Sequence, residues 1–229
     1  AGHLVKRATD AERGITDTLL RSLPEETRTD GLSNRVKSVG SLARKLRKYA
    51  DQEFAPPGEV VSAIEDVVRF TIVTPTDRSL VNKTLEAVAQ LENEGWRVEK
   101  AEHSYLRGNR YKGIHATMRE PGGLAVEVQF HSEHALAVKK ATTRLYSRER
   151  DQSLSAEERT AARQVMIACA DELSTPPCLA QLERLGDAPM AVKVYPGAGA
   201  AQRPNVVRSG RGADMVGHPA QRTWKGFGR

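Results

Sequence analysis

The segment VVRFTIVTPTDRSLVNKTLEAVAQLENEG (residues 67–95) is followed by three further runs, WRVEKAEHSY (96–105), YKGIHATMR (111–119) and LAVEVQFH (124–131). In the first run Val68, Phe70 and Ile72 alternate with Val67, Arg69 and Thr71, the period of a strand, and Pro75 closes it. Residues 77–94 then place Leu80, Leu85, Val88 and Leu91 at helical spacing, with Gly95 as the stop. One strand, one helix and then three strands in succession is not the regular alternation of a parallel α/β sheet. The order predicts an α+β fold, a mixed β-sheet of about four to five strands flanked by helices.

Upstream, Val39, Leu42, Leu46 and Tyr49 mark a helix over 38–50, and the turn Ala55-Pro56-Pro57-Gly58 leads to a short helix near 59–64. Residues 1–23, with Leu4, Ile15, Leu19 and Leu20 apolar, read as a helix ending before Pro24. Downstream, helices are expected over about 133–149 and 156–173, ended by Pro176-Pro177. The expected organisation is an N-terminal helical segment (1–30), a main domain (31–185) and a tail (186–229), with no internal repeat. The tail is rich in Gly and Pro and basic.

The charge distribution says more than its total. The net charge is +6, but residues 192–229 hold seven basic residues and one acid, which leaves 28 bases and 28 acids in residues 1–191. The body is therefore neutral, which argues against the whole domain being a nucleic-acid binder. The tail fits an ordinary solvated segment or an electrostatic tether to RNA or an acidic partner. No run approaches the roughly 18 to 20 apolar residues that a membrane-spanning helix needs, so no membrane partner is expected. Residues 1–21 carry four basic residues and no apolar run, unlike a signal peptide, and a start on alanine suggests a processed or excised chain. Two cysteines, Cys169 and Cys178, are too few for a disulfide framework and lack zinc-ligand spacing, which suits reduced thiols in a cytoplasmic setting.

From Asn34 to Ala50 there are six basic residues (Arg35, Lys37, Arg44, Lys45, Arg47, Lys48) and no acid. Lys37, Ser41 and Lys45 lie four apart on one helical face, beside Arg44 and Lys48 and away from the apolar stripe. Cations stacked four apart repel, so a polyanion is one natural partner; a solvated face paired with acids elsewhere is the other reading. Asp66 stands at the entrance of the 67–74 strand, and Glu127 lies mid-strand on the side of Gln129 and His131. Two carboxylates on one sheet suit magnesium, which takes one or two carboxylates and leaves its other positions to water and phosphate. Alternation equally allows Glu127 to face water. Tyr111, Gly113 and His115 share one face of an extended segment behind Arg107 and Arg110, with Lys112 between them. A ring among cations can stack a nucleobase; it can also simply pack.

Taken in order, Arg35-x-Lys37-x-x-x-Ser41-x-x-x-Lys45, then Asp66, then Tyr111-x-x-x-His115, then Glu127-x-Gln129, the sequence resembles the synthetase domain of RelA/SpoT-type (p)ppGpp (alarmone) synthetases over about residues 32–150. The resemblance implies the nucleotidyltransferase-like alarmone synthetase fold. It also implies a pyrophosphokinase that moves the β,γ-pyrophosphate of ATP onto the 3′-hydroxyl of an acceptor nucleotide. By position, Arg35, Lys37, Ser41, Arg44 and Lys45 would bind ATP. Asp66 and Glu127 would be catalytic and hold Mg2+, and Glu127 would help activate the hydroxyl. Tyr111, His115, Gln129, Arg110 and Lys112 would form the acceptor side.

The sequence departs from housekeeping members. Thr71 stands where they carry arginine, with Arg69 two places earlier, and His131 follows the glutamine where they have a second arginine. Thr143-Arg144-Leu145-Tyr146 replaces their later His-Trp type signature, and no His-Asp pair of the family's hydrolase domain is present. The phrases RFTIV (69–73) and EVQFHS (127–132) resemble the divergent toxin branch. The acceptor stays open among GDP, GTP, ADP, ATP and a tRNA 3′ end. A toxin would need a neutralising antitoxin or immunity protein and would act in its own cytoplasm or in that of a target cell. The alternative is a catalytically inactive nucleotide- or RNA-binding module of the same fold.

Overall fold

A computed structural model describes residues 2–53 and 66–195. The turn at 55–58, the short helix expected near 59–64 and the tail from residue 196 lie outside the described residues, as do the side chains of Leu4, Leu46 and Tyr49. All described residues fall in one compact unit, residues 1–198.

The helices are α1 (Gly2–Arg21), α2 (Val39–Glu53), α3 (Leu80–Asn93), α4 (Glu133–Ala141), α5 (Thr143–Arg150) and α6 (Ala156–Asp171). The strands are β1 (Arg28–Asp30), β2 (Val68–Thr74), β3 (Arg97–His103), β4 (Ile114–Arg119), β5 (Ala125–Ser132), β6 (Arg184–Leu185) and β7 (Ala188–Val192). They form one sheet in the order β1-β2-β5-β4-β3-β7-β6. The β2–β5 and β3–β7 pairs are parallel and the others antiparallel, so the sheet is mixed, as an α+β fold requires.

Register sorts the sheet into two faces. Val68, Phe70 and Ile72 pair with Val126, Val128 and Phe130, which pair in turn with Met118, Ala116 and Ile114. These nine side chains are buried, in one core cluster with Ala8, Ile15 and Leu19 of α1 and Leu80, Val81, Ala87, Val88 and Leu91 of α3. Each large one contributes about 1.5–3 kcal/mol by leaving water. The other face is polar. Arg69, Glu127, Thr117 and Lys100 lie in one row across β2, β5, β4 and β3; Thr71, Gln129, His115 and Glu102 lie in the next.

Four details differ from the sequence expectations. The described sheet has seven strands rather than four to five, because β1, β6 and β7 are too short to show a period. Residues expected as tail from 186 include β7, which pairs with β3 and turns back on β6 through Gly186, whose φ of 52° suits a two-residue hairpin loop. The helix expected over 133–149 breaks at Thr142, whose hydroxyl donates back to the Val138 carbonyl at 2.8 Å. α3 starts at Leu80, not 77, because Thr76 and Ser79 exchange hydrogen bonds in a turn ahead of it. No described helix is long and apolar enough to cross a membrane, and Cys169 and Cys178 are free.

Candidate active site

The segment ahead of α2 is stitched to the start of β2. The amide of Lys37 donates to the Val67 carbonyl at 2.9 Å and that of Arg69 to the Arg35 carbonyl at 2.8 Å. This pairing brings the Lys37 side chain to Asp66, and the next turns of α2 bring Lys45. Both lysines bind the one carboxylate, Lys37 on Oδ2 and Lys45 on Oδ1 at 2.6 Å. Burial opposes ionisation of Asp66, but the two ammonium groups outweigh it and hold its carboxyl below the usual range.

Asp66 and Lys45 line a pocket of about 160 Å³ together with Glu127, His115, Thr117, Lys100, Glu102 and Lys193. Three carboxylates and three lysines thus face one volume. Lys193 reaches Glu102 Oε2 at 2.9 Å, and Lys100 reaches Glu102 Oε1 at 3.2 Å. Glu102 is therefore held by two lysines, as Asp66 is.

Glu127 stands between these clusters. Its Oε1 accepts from Gln129 Nε2 at 2.9 Å and from His115 Nδ1 at 3.1 Å. Burial opposes its charge, yet the His115 and Gln129 bonds and the nearby Arg69 hold the carboxyl well below its ordinary value. Burial also lowers His115, so it is a neutral imidazole whose Nδ1 carries the proton given to Glu127. Its Nε2 is then an acceptor, buried and without a hydrogen-bond partner. Among the described residues nothing hydrogen-bonds Glu127 Oε2, which leaves it for a ligand.

Tyr111 lies just ahead of β4. Its hydroxyl is 2.7 Å from His131 Nε2, and its ring meets the rings of His115, His131 and Tyr195 edge to face at 5.3, 5.3 and 5.9 Å. Burial pushes its hydroxyl well above the usual tyrosine value. Gly113 makes this possible: a Cβ there would lie 2.8 Å from His131 Cε1.

The structure brings some of the predicted residues together and separates others. Lys37, Lys45, Asp66, Glu127, His115, Gln129 and Tyr111 gather on or beside the pocket. Arg35 turns to Glu12 of α1, and Arg44 bonds the Ser41 hydroxyl at 3.0 Å on an exposed surface. Arg110 pairs with Glu149 of α5 at 3.0 Å and stacks on Tyr195 at 5.0 Å, while Lys112 pairs with Asp171 of α6 at 2.8 Å. Sequence reasoning missed Lys100, Glu102, Thr117 and Lys193. The signal for Lys193 was the hairpin dipeptide Gly186-Asp187 that opens β7; for the others it was absent.

Asp66 and Glu127 are oxygen ligands of the type a hard divalent cation takes, with Glu127 Oε2 open and both Asp66 oxygens on lysines. They do not make a closed protein cage, and no cluster of three or more metal-ligating side chains exists among the described residues.

The sequence matches no protein-family model and no curated protein. Among solved structures the chain is similar to the Type VI effector Tas1 in complex with its immunity protein, at 18% identity and TM-score 0.47, covering 74% of this chain and 94% of that one. It is also similar to the small alarmone synthetase 1 from Bacillus subtilis, at 15% identity and TM-score 0.45, over 74% and 89% of the two chains. A GTP pyrophosphokinase family protein from Streptococcus pneumoniae gives 15% identity and TM-score 0.43, over 73% and 84%.

Proposed function

We propose that the chain is a magnesium-dependent pyrophosphokinase that transfers the β,γ-pyrophosphate of ATP to the 3′-hydroxyl of an acceptor nucleotide, a guanine or adenine nucleoside di- or triphosphate. One observation carries the reading: Lys37 and Lys45 converge on Asp66 at the edge of the pocket that Glu127 also lines. Pure anion binding has no use for the carboxylates, and pure metal binding has no use for the lysines. A polyphosphate that arrives with a divalent cation uses both.

In the reaction the acceptor 3′-oxygen forms a bond to the β-phosphorus of ATP. The bond from that phosphorus to the α,β-bridging oxygen breaks, and AMP leaves with the electron pair. Lys37 and Lys45 swing from Asp66 to the phosphate chain, neutralising the charge that develops on it. Asp66 and Glu127 Oε2 would hold magnesium, which supplies charge stabilisation at the phosphates. Glu127 Oε2 also accepts the hydrogen bond of the attacking hydroxyl, with His115 and Gln129 fixing the carboxylate from behind. Tyr111 and Tyr195 flank the acceptor side. A catalyst of this kind, left unopposed, drains ATP, so a neutralising protein partner and a toxin role belong to the same proposal.

The test is incubation with γ-labelled ATP, magnesium and, separately, GDP, GTP, ADP, ATP and bulk tRNA, with products resolved by anion exchange. Transfer predicts a labelled product with one acceptor and stoichiometric AMP. Glu127→Gln should cut AMP release at least about 100-fold, the scale of losing a group aimed at developing charge. Full activity in that variant sinks the assignment of the site.

A further inference from the structure

α4 is set rigidly over the polar face of the sheet. Ser132 caps it, accepting from the Ala135 amide at 3.1 Å, and Ala135 and Leu136 are buried. Two ion pairs tie its outer side to β1: Arg28 with Glu133 at 2.7 Å and Lys140 with Asp30 at 2.6 Å. The next-turn position, one helical repeat from Ala135 and Leu136, belongs to Lys139, whose side chain is thereby aimed at Gln129 and His131.

The Lys139 ammonium donates to Gln129 Oε1 at 2.9 Å, lies 3.3 Å from His131 Nε2 and stands 5.4 Å above the Tyr111 ring. Neighbouring Lys140 has a carboxylate; Lys139 has three neutral partners. We propose that Lys139 is a positioning residue of the transfer site. Its ammonium fixes the amide of Gln129, and through it the Glu127 carboxylate, while its second contact, at 3.3 Å, sets Nε2 as the acceptor nitrogen of His131. The inference rests on the transfer reading for its kinetic part only.

The donor inventory makes the chain directional. A lysine only donates and a carboxylate only accepts, so the amide between them has one orientation: Oε1 toward Lys139, Nε2 toward Glu127. That amide occupies one side of Glu127 Oε1 and His115 the other, so the free Oε2 is set by the pair. On the other branch a donor-only neighbour requires the lone pair of His131 to sit on Nε2, where the Tyr111 hydroxyl at 2.7 Å makes the main bond and Lys139 at 3.3 Å a weaker, shared one. One cation thus orders two residues, Gln129 beside Glu127 and His131 beside Tyr111.

A structural explanation would have Lys139 stabilise the fold. The surroundings say otherwise, since burial, reinforced by the charge of Arg69, pulls it down to about 8. An ammonium harder to protonate folded than unfolded opposes folding at neutral pH, which offsets the donor that buried Gln129 Oε1 loses, so Lys139→Met should stay near wild-type stability.

The experiment compares wild type, Lys139→Met and Lys139→Arg in the full chain. Three things are measured: AMP release under saturating ATP and acceptor, the thermal midpoint, and the side-chain amide resonances of Gln129 by 15N NMR. The expected result for Lys139→Met is a kcat lower by about 10–100-fold, the usual effect of an outer-shell partner. The KM for ATP should stay within about threefold, the thermal midpoint should stay near that of the wild type, and the Gln129 resonances should shift. Lys139→Arg should recover most of the rate and restore the amide signal. A Lys139→Met variant with wild-type kcat, or with unmoved Gln129 resonances, overturns the proposal, as does a parallel loss of rate and thermal midpoint. If the wild type itself releases no AMP with any acceptor, the transfer reading falls, and the Gln129 resonances alone then decide whether Lys139 orders the carboxylate.

Discussion

Gly113 leaves no room for a side chain beside Tyr111 and His131, and Gly113→Ala tests how closely those two residues pack. The backbone there tolerates alanine, since Gly113 is not among the positive-φ glycines. The penalty is purely steric. The new Cβ would sit 2.8 Å from His131 Cε1, and ordinary contact begins near 3.4 Å, so the ring must retreat by about 0.6 Å. The same Cβ would lie 3.2 Å from the Tyr111 hydroxyl. His131 is fully buried and its bond to Tyr111 is 2.7 Å long, so the retreat stretches a buried hydrogen bond. Overpacking costs about 1–3 kcal/mol and the weakened bond about 1 more. For a chain of this size that lowers the thermal midpoint by about 5–10 °C. The assay is thermal unfolding of four proteins: wild type, Gly113→Ala, His131→Ala and the double variant. If the clash is with His131, the alanine at 113 costs much less once the ring is gone, with a coupling of at least about 1 kcal/mol. An equal loss in both backgrounds, or a midpoint within about 1 °C of wild type, refutes the reasoning.

Asp66 is easier to ionise folded than unfolded, so its contribution is fully present above the ordinary carboxylate value of about 4 and is lost as pH falls through its lowered value. Acid titration of unfolding should therefore be shallower in Asp66→Asn than in wild type, and an unchanged slope contradicts the pairing with Lys37 and Lys45. Lys112 is buried against Asp171 and the Leu106 carbonyl. Lys112→Met should lower the urea midpoint by the equivalent of about 1–3 kcal/mol while the KM for ATP stays put. Removing divalent cations with EDTA should weaken ATP binding at least about tenfold by calorimetry, because the three carboxylates then cancel the attraction of the three lysines for the phosphates.

The long strands were legible because each writes its period into the residues, whereas the helical stripes were legible only in part: Leu42, Leu80, Val88 and Leu91 are buried, but Val39 and Leu85 are exposed. Phe70 and Ile72 against Arg69 and Thr71, or Val126 and Val128 against Glu127 and Gln129, leave one reading of which side is buried. Of the eight residues that line the pocket, the blocks 35–45, 66, 111–115 and 127–129 contain four, Lys45, Asp66, His115 and Glu127. Which cation reaches the pocket was not legible. Arg35 and Lys37 are two residues apart, yet Arg35 pairs with Glu12 from α1 and Lys37 with Asp66, because Arg35 still has the helical backbone (φ −67°, ψ −30°) that closes the short turn Leu32–Asn34, which breaks the period of two between them. Arg110 and Lys112 likewise read as phosphate ligands until Glu149 and Asp171, more than 35 positions later in the chain, are seen beside them. Partner choice across such distances is set by strand order.

Lys100 and Glu102 show the same limit in its sharpest form. Simple alternation along 96–105 puts Val98, Lys100 and Glu102 on one face, and Val98 belongs to the core. A bulge between Val98 and Lys100 breaks the period: Val98 pairs with Met118, but Lys100 pairs with Thr117 and Ala101 with Ala116. Ala101 takes the apolar side in place of Lys100, and both charged residues turn to the pocket. There they meet Lys193 from the end of β7, and the second dilysine–carboxylate group is complete. Without the bulge, an ammonium and a carboxylate would be driven into the Phe70–Phe130 core, at a cost no strand of this length can offset. With it, the pocket gains equal numbers of acids and lysines. Such a site holds no net attraction for a bare polyanion or a bare cation. It suits a ligand that carries both, and the irregular residue in β3 is what sets that balance.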